Sequence, residues 1–368
     1  MRSVKFVDLG KQYLRFRDDI LSVFDDISKS GHYVFGPHLK AFEENFAAYI
    51  GSQYAVGVAN GSDALYLAMK GLGIGAGDEV ITAPNSFIAS AWTIANTGAK
   101  VVFADVCRDL NIDPHAIEAA ITPKTKAIMP VHLTGKVAQM EAIQAIADRH
   151  NLLVIEDAAQ AVGASRCQKK AGSFGIAAGF SLHPLKNLHV HGDGGVLTTS
   201  DQGLYEELLK WRNHGLRNRD ECSFWGINSR LDAIQAAIAN IKLQQLDKTN
   251  DMFRSIAQRY TDALCALVHV PKEEEQEHQV YHRYMIQTPH RDALQMYLEE
   301  KGVETKINYP IPIHLQEAAQ NLGYRKGDFP IAETLTEEIL SLPMYAEMEW
   351  DDVEYVIEQI QNFFHTQL

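Results

Sequence analysis

The stretch YAVGVANGSDALYLAMK, residues 54–70, contains a strand, a turn and a helix in succession. Apolar residues over Tyr54–Val58 favour a buried β-strand, and apolar residues at helical spacing over Asp63–Leu72 favour an amphipathic helix. The polar segment NGSD between them places backbone N–H groups and a hydroxyl at a helix N-terminus. These groups can bind a phosphate, or they can simply cap the helix.

The same alternation of short β-branched runs and amphipathic stretches continues to about residue 200, which predicts an α/β fold with a mostly parallel sheet. The seven predicted strands are Tyr54–Val58, Glu79–Ala83, Lys100–Asp105, Ala127–His132, Leu152–Glu156, Gly179–Leu182 and Gly195–Thr199. The predicted helices between them are Asp63–Leu72, Phe87–Asn96, Pro114–Ile121, Val137–His150 and Gln202–Arg212.

The length of 368 residues fits one large domain and one smaller domain. We predict a large domain over residues 1–240 and a small α+β domain over residues 241–368. A single connecting helix is expected over about 229–265, because this segment has no Gly or Pro and its apolar residues recur every three or four positions. The small domain is expected to contain strands at YMIQT and Val303–Tyr309, a helix at about Arg291–Lys301 and amphipathic C-terminal helices.

The composition favours a small-molecule partner. The 34 Lys and Arg residues against 47 Asp and Glu give a formal charge of -13, which does not attract nucleic acid or anionic lipid. We expect a cytoplasmic protein, because the N-terminus lacks the apolar core of a secretory signal and the uncharged run Val80–Ala99 is too polar for a membrane span. The four widely spaced cysteines indicate reduced thiols.

Three further residues can carry chemistry. Asp157 ends the apolar strand LLVIE, at the sheet edge where α/β proteins bind ligands, although an isolated Asp there can also cap a turn. Gln160 lies one turn later and can reach the same ligand. Lys186 lies in the nearly uncharged segment GFSLHPLKNLHVHGDGG, where an ammonium group needs a partner or a chemical task.

A phosphate site at a helix end, a carboxylate at a strand end and a lysine in an apolar segment are what pyridoxal 5'-phosphate (PLP) requires. The phosphate site anchors the cofactor and the carboxylate keeps the pyridine nitrogen protonated. The lysine amine holds the cofactor aldehyde as a Schiff base.

The chain resembles the DegT/DnrJ/EryC1/StrS family of sugar aminotransferases, a branch of the PLP-dependent transferase fold type I. The resemblance runs nearly end to end. It is carried by GHYVFGPHLKAFEENFAAYIG, VGVANGSDALYLAM, GAGDEVITAPNSFIAS, IEDAAQAVGA, GFSLHPLKNLHVHGDGGVLTT, RNHG, GINSRLDAIQAAI and NYPIPIHLQ.

The resemblance implies a role for each matching residue. Lys186 would form the Schiff base and move the substrate proton, Asp157 would pair with the pyridine nitrogen, and Gln160 would bind the ring hydroxyl. The remaining cofactor contacts implied are Gly61, Ser62 and Ser181 on the phosphate, Phe87 on the ring face, and Asn228 on the phosphate of a neighbouring subunit. Arg230, Tyr309 and His314 match positions near the substrate, although an ion pair, a packed aromatic ring or a capping histidine would also explain them.

The family often has Thr at Ser62 and His at Val162 and Asn308, so the last two positions leave the sugar contacts open. His189 and His191 would alternate onto one face of an extended segment, where they could contact the cofactor or an anionic substrate. No carboxylate or Cys completes a metal site beside them, and no metal is expected.

The resemblance implies a homodimer with shared sites that transfers an amino group from L-glutamate to a keto or aldehyde sugar, with pyridoxamine 5'-phosphate as the intermediate form of the cofactor. The acceptor would be a nucleotide-linked keto-deoxy sugar or an oxidised octulosonate-type sugar, used for lipopolysaccharide or other cell-surface polysaccharide. HPLKN favours amination at the sugar 3-position over the 4-position. Two alternatives are a sugar dehydratase of the same family, which has His in place of Lys186, and a catalytically silent PLP-binding protein.

Overall fold

The computed structural model describes residues 2–366 and contains a central sheet of seven strands between helices. The strands are β1 (Tyr54–Val58), β2 (Glu79–Thr82), β3 (Lys100–Phe103), β4 (Thr125–Met129), β5 (Leu153–Asp157), β6 (Ser165–Arg166), β7 (Lys169–Lys170), β8 (Ala177–Ser181), β9 (Gly195–Thr199), β10 (Glu277–His278), β11 (Tyr284–Gln287) and β12 (Ile339–Leu342). The helices are α1 (Leu9–Ser30), α2 (Pro37–Ile50), α3 (Gly61–Gly71), α4 (Ala89–Thr97), α5 (Pro114–Ala120), α6 (Met140–His150), α7 (Gln202–Trp211), α8 (Ala233–Leu243), α9 (Leu246–Leu264), α10 (Arg291–Glu300), α11 (Pro330–Glu338) and α12 (Trp350–Thr366).

The central sheet has the order β1-β9-β8-β5-β4-β2-β3. Strands β3, β2, β4, β5 and β8 pair in parallel, whereas β9 is antiparallel to both β8 and β1. The predicted α/β class and the mostly parallel seven-stranded sheet are therefore confirmed. Since β1, β2, β4, β5 and β8 run the same way, the segments that follow them meet at one edge of the sheet.

The expected single helix over about 229–265 is instead two helices, α8 and α9, which are separated at Gln244 and Gln245. Helix α8 packs on α1 and α2, while α9 packs on α12. One straight helix cannot follow both surfaces, and the apolar spacing continues across the break without a Gly or Pro to mark it.

The C-terminal part also differs from the expectation in its second strand. Segment Val303–Tyr309 makes only isolated bridges, from Val303 to Val4 and from Lys306 to Ser341. The strand beside β11 is β12, which lies in the region expected to be helical. Val4 packs in the same apolar cluster as α9, α10 and α12, so the first residues of the chain join the C-terminal layer. The domain boundary near residue 240 stays a prediction.

A fully buried carboxylate, Glu156, organises the centre of the sheet edge. It accepts three hydrogen bonds of 2.7 Å from the backbone N–H groups of Gly172, Phe174 and Gly175, and one of 2.9 Å from His132 Nε2. Because four donors satisfy both oxygens, the charge is stable without contact with water.

Replacing Glu156 with Gln would turn an NH₂ group toward N–H donors. We expect Glu156→Gln to lower the free energy of unfolding by about 3 kcal/mol, as measured by urea unfolding at one fixed protein concentration. The matched control is Glu44→Gln, because Glu44 is exposed and lies 3.8 Å from Lys40. The control should change stability by less than about 0.5 kcal/mol. Equal effects of the two substitutions would contradict this account of Glu156.

Candidate active site

A cavity of about 330 Å³ lies at the sheet edge where the parallel strands end. It brings together most of the residues singled out from the sequence. Those that line it are Gly61, Ser62, Phe87, Asp157, Gln160, Ser181, Lys186 and Tyr309.

The N-terminus of α3 forms one end of the cavity. Asn60 caps the helix by accepting a hydrogen bond of 2.8 Å from the N–H of Asp63. Within residues 2–366, the N–H groups of Gly61 and Ser62 have no hydrogen-bond partner. The helix can approach β8 this closely because Gly61 lacks a side chain: a Cβ atom there would lie 2.8 Å from the Cβ of Ser181. This end of the cavity can bind an anion such as a phosphate.

Asp157 is 5% exposed and also lines the cavity. Its Oδ2 accepts from Ser90 Oγ at 2.7 Å and its Oδ1 accepts from the N–H of Ala159 at 3.2 Å. Burial raises the pKa of Asp157 above its usual value, although these hydrogen bonds and the charge of Lys186 oppose the shift. A cationic ring nitrogen beside this carboxylate would compensate for the burial.

Gln160 is held in one orientation. Its Oε1 accepts from the N–H of Thr134 at 2.9 Å, which leaves the amide NH₂ as a donor toward the cavity.

The amine of Lys186 has no hydrogen-bond or ion-pair partner within residues 2–366. Its pKa is lowered to about 8, mainly by burial and then by the positive charge of Arg283, while Asp157 acts in the opposite direction. A larger fraction of Lys186 is therefore the neutral, nucleophilic amine than for an ordinary lysine.

Two aromatic rings of the cavity wall, Phe87 and Tyr309, lie next to each other. Phe87 is 53% exposed, and the centre of its ring is 5.6 Å from that of Tyr309. Phe87 can therefore cover one face of a planar ring held between Asp157 and the N-terminus of α3.

Three predicted site residues lie outside the cavity of this chain. His314 is buried against Phe103 and Phe329, and its Nε2 is 3.1 Å from Glu333 Oε1. The guanidinium of Arg230 donates to Asn213 Oδ1 at 3.0 Å, and Asn228 is exposed. A partner-subunit role for Asn228 stays a prediction.

His189 and His191 do not share a face that points to the cavity. His189 is buried and its Nδ1 lies 2.9 Å from the carbonyl oxygen of Lys186, so it supports the lysine loop, whereas His191 is exposed. Val162 is packed in the core, while Asn308 lines the cavity. No group of three potential metal ligands occurs within residues 2–366.

Several cavity residues were not singled out from the sequence, among them Ser90 and four ionisable residues: His183, Asp193, His282 and Arg283. Arg283 had a visible signal, because it is a charged residue at the start of the apolar strand YMIQ. Such a position is costly for a charge unless the charge has a task.

The residues present fit PLP: the α3 N-terminus suits the phosphate, Asp157 the pyridine nitrogen, Gln160 the ring hydroxyl and Lys186 the aldehyde. This fold and this site define a PLP-dependent aminotransferase of fold type I.

The comparison with known proteins leads to the family. The model of the DegT/DnrJ/EryC1/StrS aminotransferase family matches residues 15–361. The chain is 44% identical over 367 residues to a "Pleiotropic regulatory protein" of Geobacillus stearothermophilus, covering 98% of this chain and 99% of the relative. It is 42% identical over 362 residues to a "dTDP-3-amino-3,6-dideoxy-alpha-D-galactopyranose transaminase" of Aneurinibacillus thermoaerophilus, covering 98% of this chain and 99% of the relative.

Among solved structures, S. venezuelae DesV in complex with a ketimine intermediate superposes with a TM-score of 0.96 at 39% identity, covering 99% of each chain. The protein belongs to the DegT/DnrJ/EryC1/StrS aminotransferase family.

The pKa of Lys186 predicts how the amine of the apoprotein reacts with pH. Acetylation of Lys186 should reach half its maximal rate near pH 8, since only the neutral amine reacts. Competitive acetylation followed by peptide mass spectrometry measures this midpoint. Lys29 is an internal control, because its hydrogen bond to Asp25 raises its pKa above the usual value for lysine. A Lys186 midpoint as high as that of Lys29 would contradict the described environment.

Proposed function

We propose that this aminotransferase transfers the amino group of L-glutamate to the keto group of a nucleotide-linked deoxy sugar. The observation that carries the proposal is the unpaired Lys186 amine in one cavity with Asp157 and Gln160. The names of relatives that span the full chain support the sugar acceptor, the one from A. thermoaerophilus being a dTDP-amino-sugar transaminase.

The bound cofactor supplies an electron sink for the carbon that loses its proton. Asp157 keeps the ring nitrogen protonated, and Gln160 donates to the ring hydroxyl. Lys186 holds the cofactor between reactions and, once released by the donor, accepts and returns the substrate proton. Because its pKa is near 8, this amine can both take up and give back a proton at neutral pH.

The two alternatives have less support. The dehydratase reading requires His in place of the lysine, and this chain has Lys186. The silent-binder reading fits the word "regulatory" in the name of the G. stearothermophilus relative. It does not explain why the lysine amine is unpaired, has a lowered pKa and opens into a cavity.

Two observations support a particular carbon of the sugar as the position that receives the amino group. The segment HPLKN, residues 183–187, favours the 3-position of the sugar, and the A. thermoaerophilus relative is named for a 3-amino sugar. We therefore propose a nucleotide-linked 3-keto sugar as the acceptor. Its amino product would serve cell-surface polysaccharide or lipopolysaccharide synthesis.

The two half-reactions can be tested separately by absorbance. L-glutamate should convert the lysine-bound cofactor of the wild type into the amine form. In the second half-reaction, run in reverse, a dTDP-3-amino-3,6-dideoxyhexose should convert the lysine-bound cofactor into the amine form faster than its 4-amino isomer does. Lys186→Ala should lose turnover by at least about 10⁴-fold while still binding PLP. A wild type that L-glutamate cannot discharge would exclude transamination from this donor, and faster reaction of the 4-amino isomer would exclude the proposed position.

We also infer that the protein is a homodimer with shared sites. Asn228 is exposed and does not line the cavity of its own chain. Ser229, which follows it, is buried and hydrogen-bonds to Asp63 Oδ2 at 2.6 Å at the start of α3. The backbone at Asn228 is thus fixed while its side chain is left free for a neighbouring subunit, as symmetric dimers allow.

Mixing two variants tests the shared site. Lys186→Ala and Asn228→Ala are each expected to be impaired when assayed at limiting PLP. In a heterodimer, one site carries both substitutions and the other carries neither. The mixture refolded or coexpressed together should therefore recover about a quarter of the wild-type activity. Recovery no greater than the sum of the separate variants would place Asn228 in the site of its own chain.

A further inference from the structure

Arg283 is a buried cation in the active-site cavity. It precedes β11 directly, is 8% exposed and lines the cavity together with Lys186 and Tyr309. Its charge adds to the effect of burial in lowering the pKa of Lys186, and it partly opposes the burial that raises the pKa of Tyr309. The guanidinium is therefore electrostatically coupled to the reacting amine.

Among the described residues, the guanidinium has no anionic partner. Its one hydrogen-bond acceptor in that part of the chain is the carbonyl oxygen of His282, 3.0 Å from Nη1, and the guanidinium carbon lies 5.1 Å from the centre of the Phe6 ring. Within residues 2–366, Arg283 forms no ion pair. Two other arginines are similarly buried, and both are paired: Arg212 with Glu43 and Arg291 with Asp292.

The acidic groups of the cavity do not fill this role. Asp157 is occupied by Ser90 and the N–H of Ala159, and Asp193 is exposed. Neither carboxylate pairs with Arg283. A buried guanidinium without a counter-ion is costly, so its position is best explained by an anion that enters the cavity.

The cofactor phosphate is not that anion. Residues suited to the phosphate surround the contact between Gly61 and Ser181. The backbone of Arg283 belongs to a different wall of the cavity. The backbone N–H of Arg283 donates to the carbonyl oxygen of Thr134 at 3.4 Å, and the backbone N–H of Thr134 donates to Oε1 of Gln160. Gln160 is assigned to the ring hydroxyl, which lies away from the phosphate end of PLP.

We propose that Arg283 determines specificity by binding a substrate carboxylate. A guanidinium offers two parallel N–H groups that match the two oxygens of a carboxylate, and Nε and Nη2 have no acceptor in the part of the chain that the structure describes. The inference rests on the proposed function, because the carboxylate belongs either to the L-glutamate donor or to an acidic sugar acceptor.

Binding of unreactive ligands to the holoenzyme separates the two sources. Calorimetry would compare glutarate with its diamide glutaramide, and UDP-glucuronate with UDP-glucose, since each pair differs only in carrying the acid. In one of the pairs the wild type should bind the acid at least about 30-fold more tightly than the neutral ligand. Arg283→Gln should remove this preference, and Arg283→Lys should retain part of it because the charge remains.

A preference in the glutarate pair assigns Arg283 to the amino donor, and a preference in the glucuronate pair assigns it to the acceptor. The matched control is Arg325→Gln, which removes an arginine that is 88% exposed in its side chain and should leave both comparisons unchanged. The absorbance of the lysine-bound cofactor reports whether each variant is folded, and Arg283→Lys carries the test if Arg283→Gln does not fold.

The proposal is overturned if the wild type does not distinguish acid from neutral ligand in either pair, or if Arg283→Gln keeps the wild-type preference. Because these ligands do not react, the result is independent of turnover. A holoenzyme that L-glutamate cannot discharge but that still binds the acids through Arg283 would reject the proposed function and retain the carboxylate site.

Discussion

The active site depends on one buried charge, the carboxylate of Glu156. Its four donors come from the loop before β8 and from His132, which follows β4. A single side chain on β5 therefore fixes the two strands next to it. The neighbouring residue along β5 points to the other side of the sheet, and it is Asp157. Glu156, which takes no part in the chemistry, thus helps to position Asp157, the carboxylate assigned to the ring nitrogen of the cofactor.

The contacts of Glu156 also help to position the wall of the cavity that contains Gln160 and Arg283. His132 begins the segment that contains Thr134, and the backbone of Thr134 binds Gln160 on one side and Arg283 on the other. The side chain of Gln160 and the backbone of Arg283 are consequently both held by one short turn. The phosphate end is built independently, where the absence of side chains at Gly61 and Gly195 lets α3 approach β8 and β9 closely. The two ends of the cavity are therefore formed by two separate sets of contacts.

Much of this could be predicted from the sequence, because the informative signals are local. Strand ends place Asp157, Ser181 and the NGSD turn at one edge, and an apolar segment marks Lys186. Contacts between distant segments gave no such signal. The break between α8 and α9 follows from packing on different helices, and the pairing of β12 with β11 depends on chain folding rather than on apolar spacing. The contact of His314 gave no local signal either, since its partner Glu333 lies on α11.

The charges in the cavity also connect binding with proton transfer. Arg283 is one of the causes that lower the pKa of Lys186, and Asp157 opposes it. A carboxylate bound to Arg283 would offset the repulsion between the two cations, and the pKa of Lys186 would rise toward its usual value. The amine would then hold a proton more strongly while that substrate is bound than after it has left. A substrate carboxylate would in this way make Lys186 a stronger base but leave a smaller fraction of it neutral at neutral pH, whereas a neutral substrate would leave both properties unchanged.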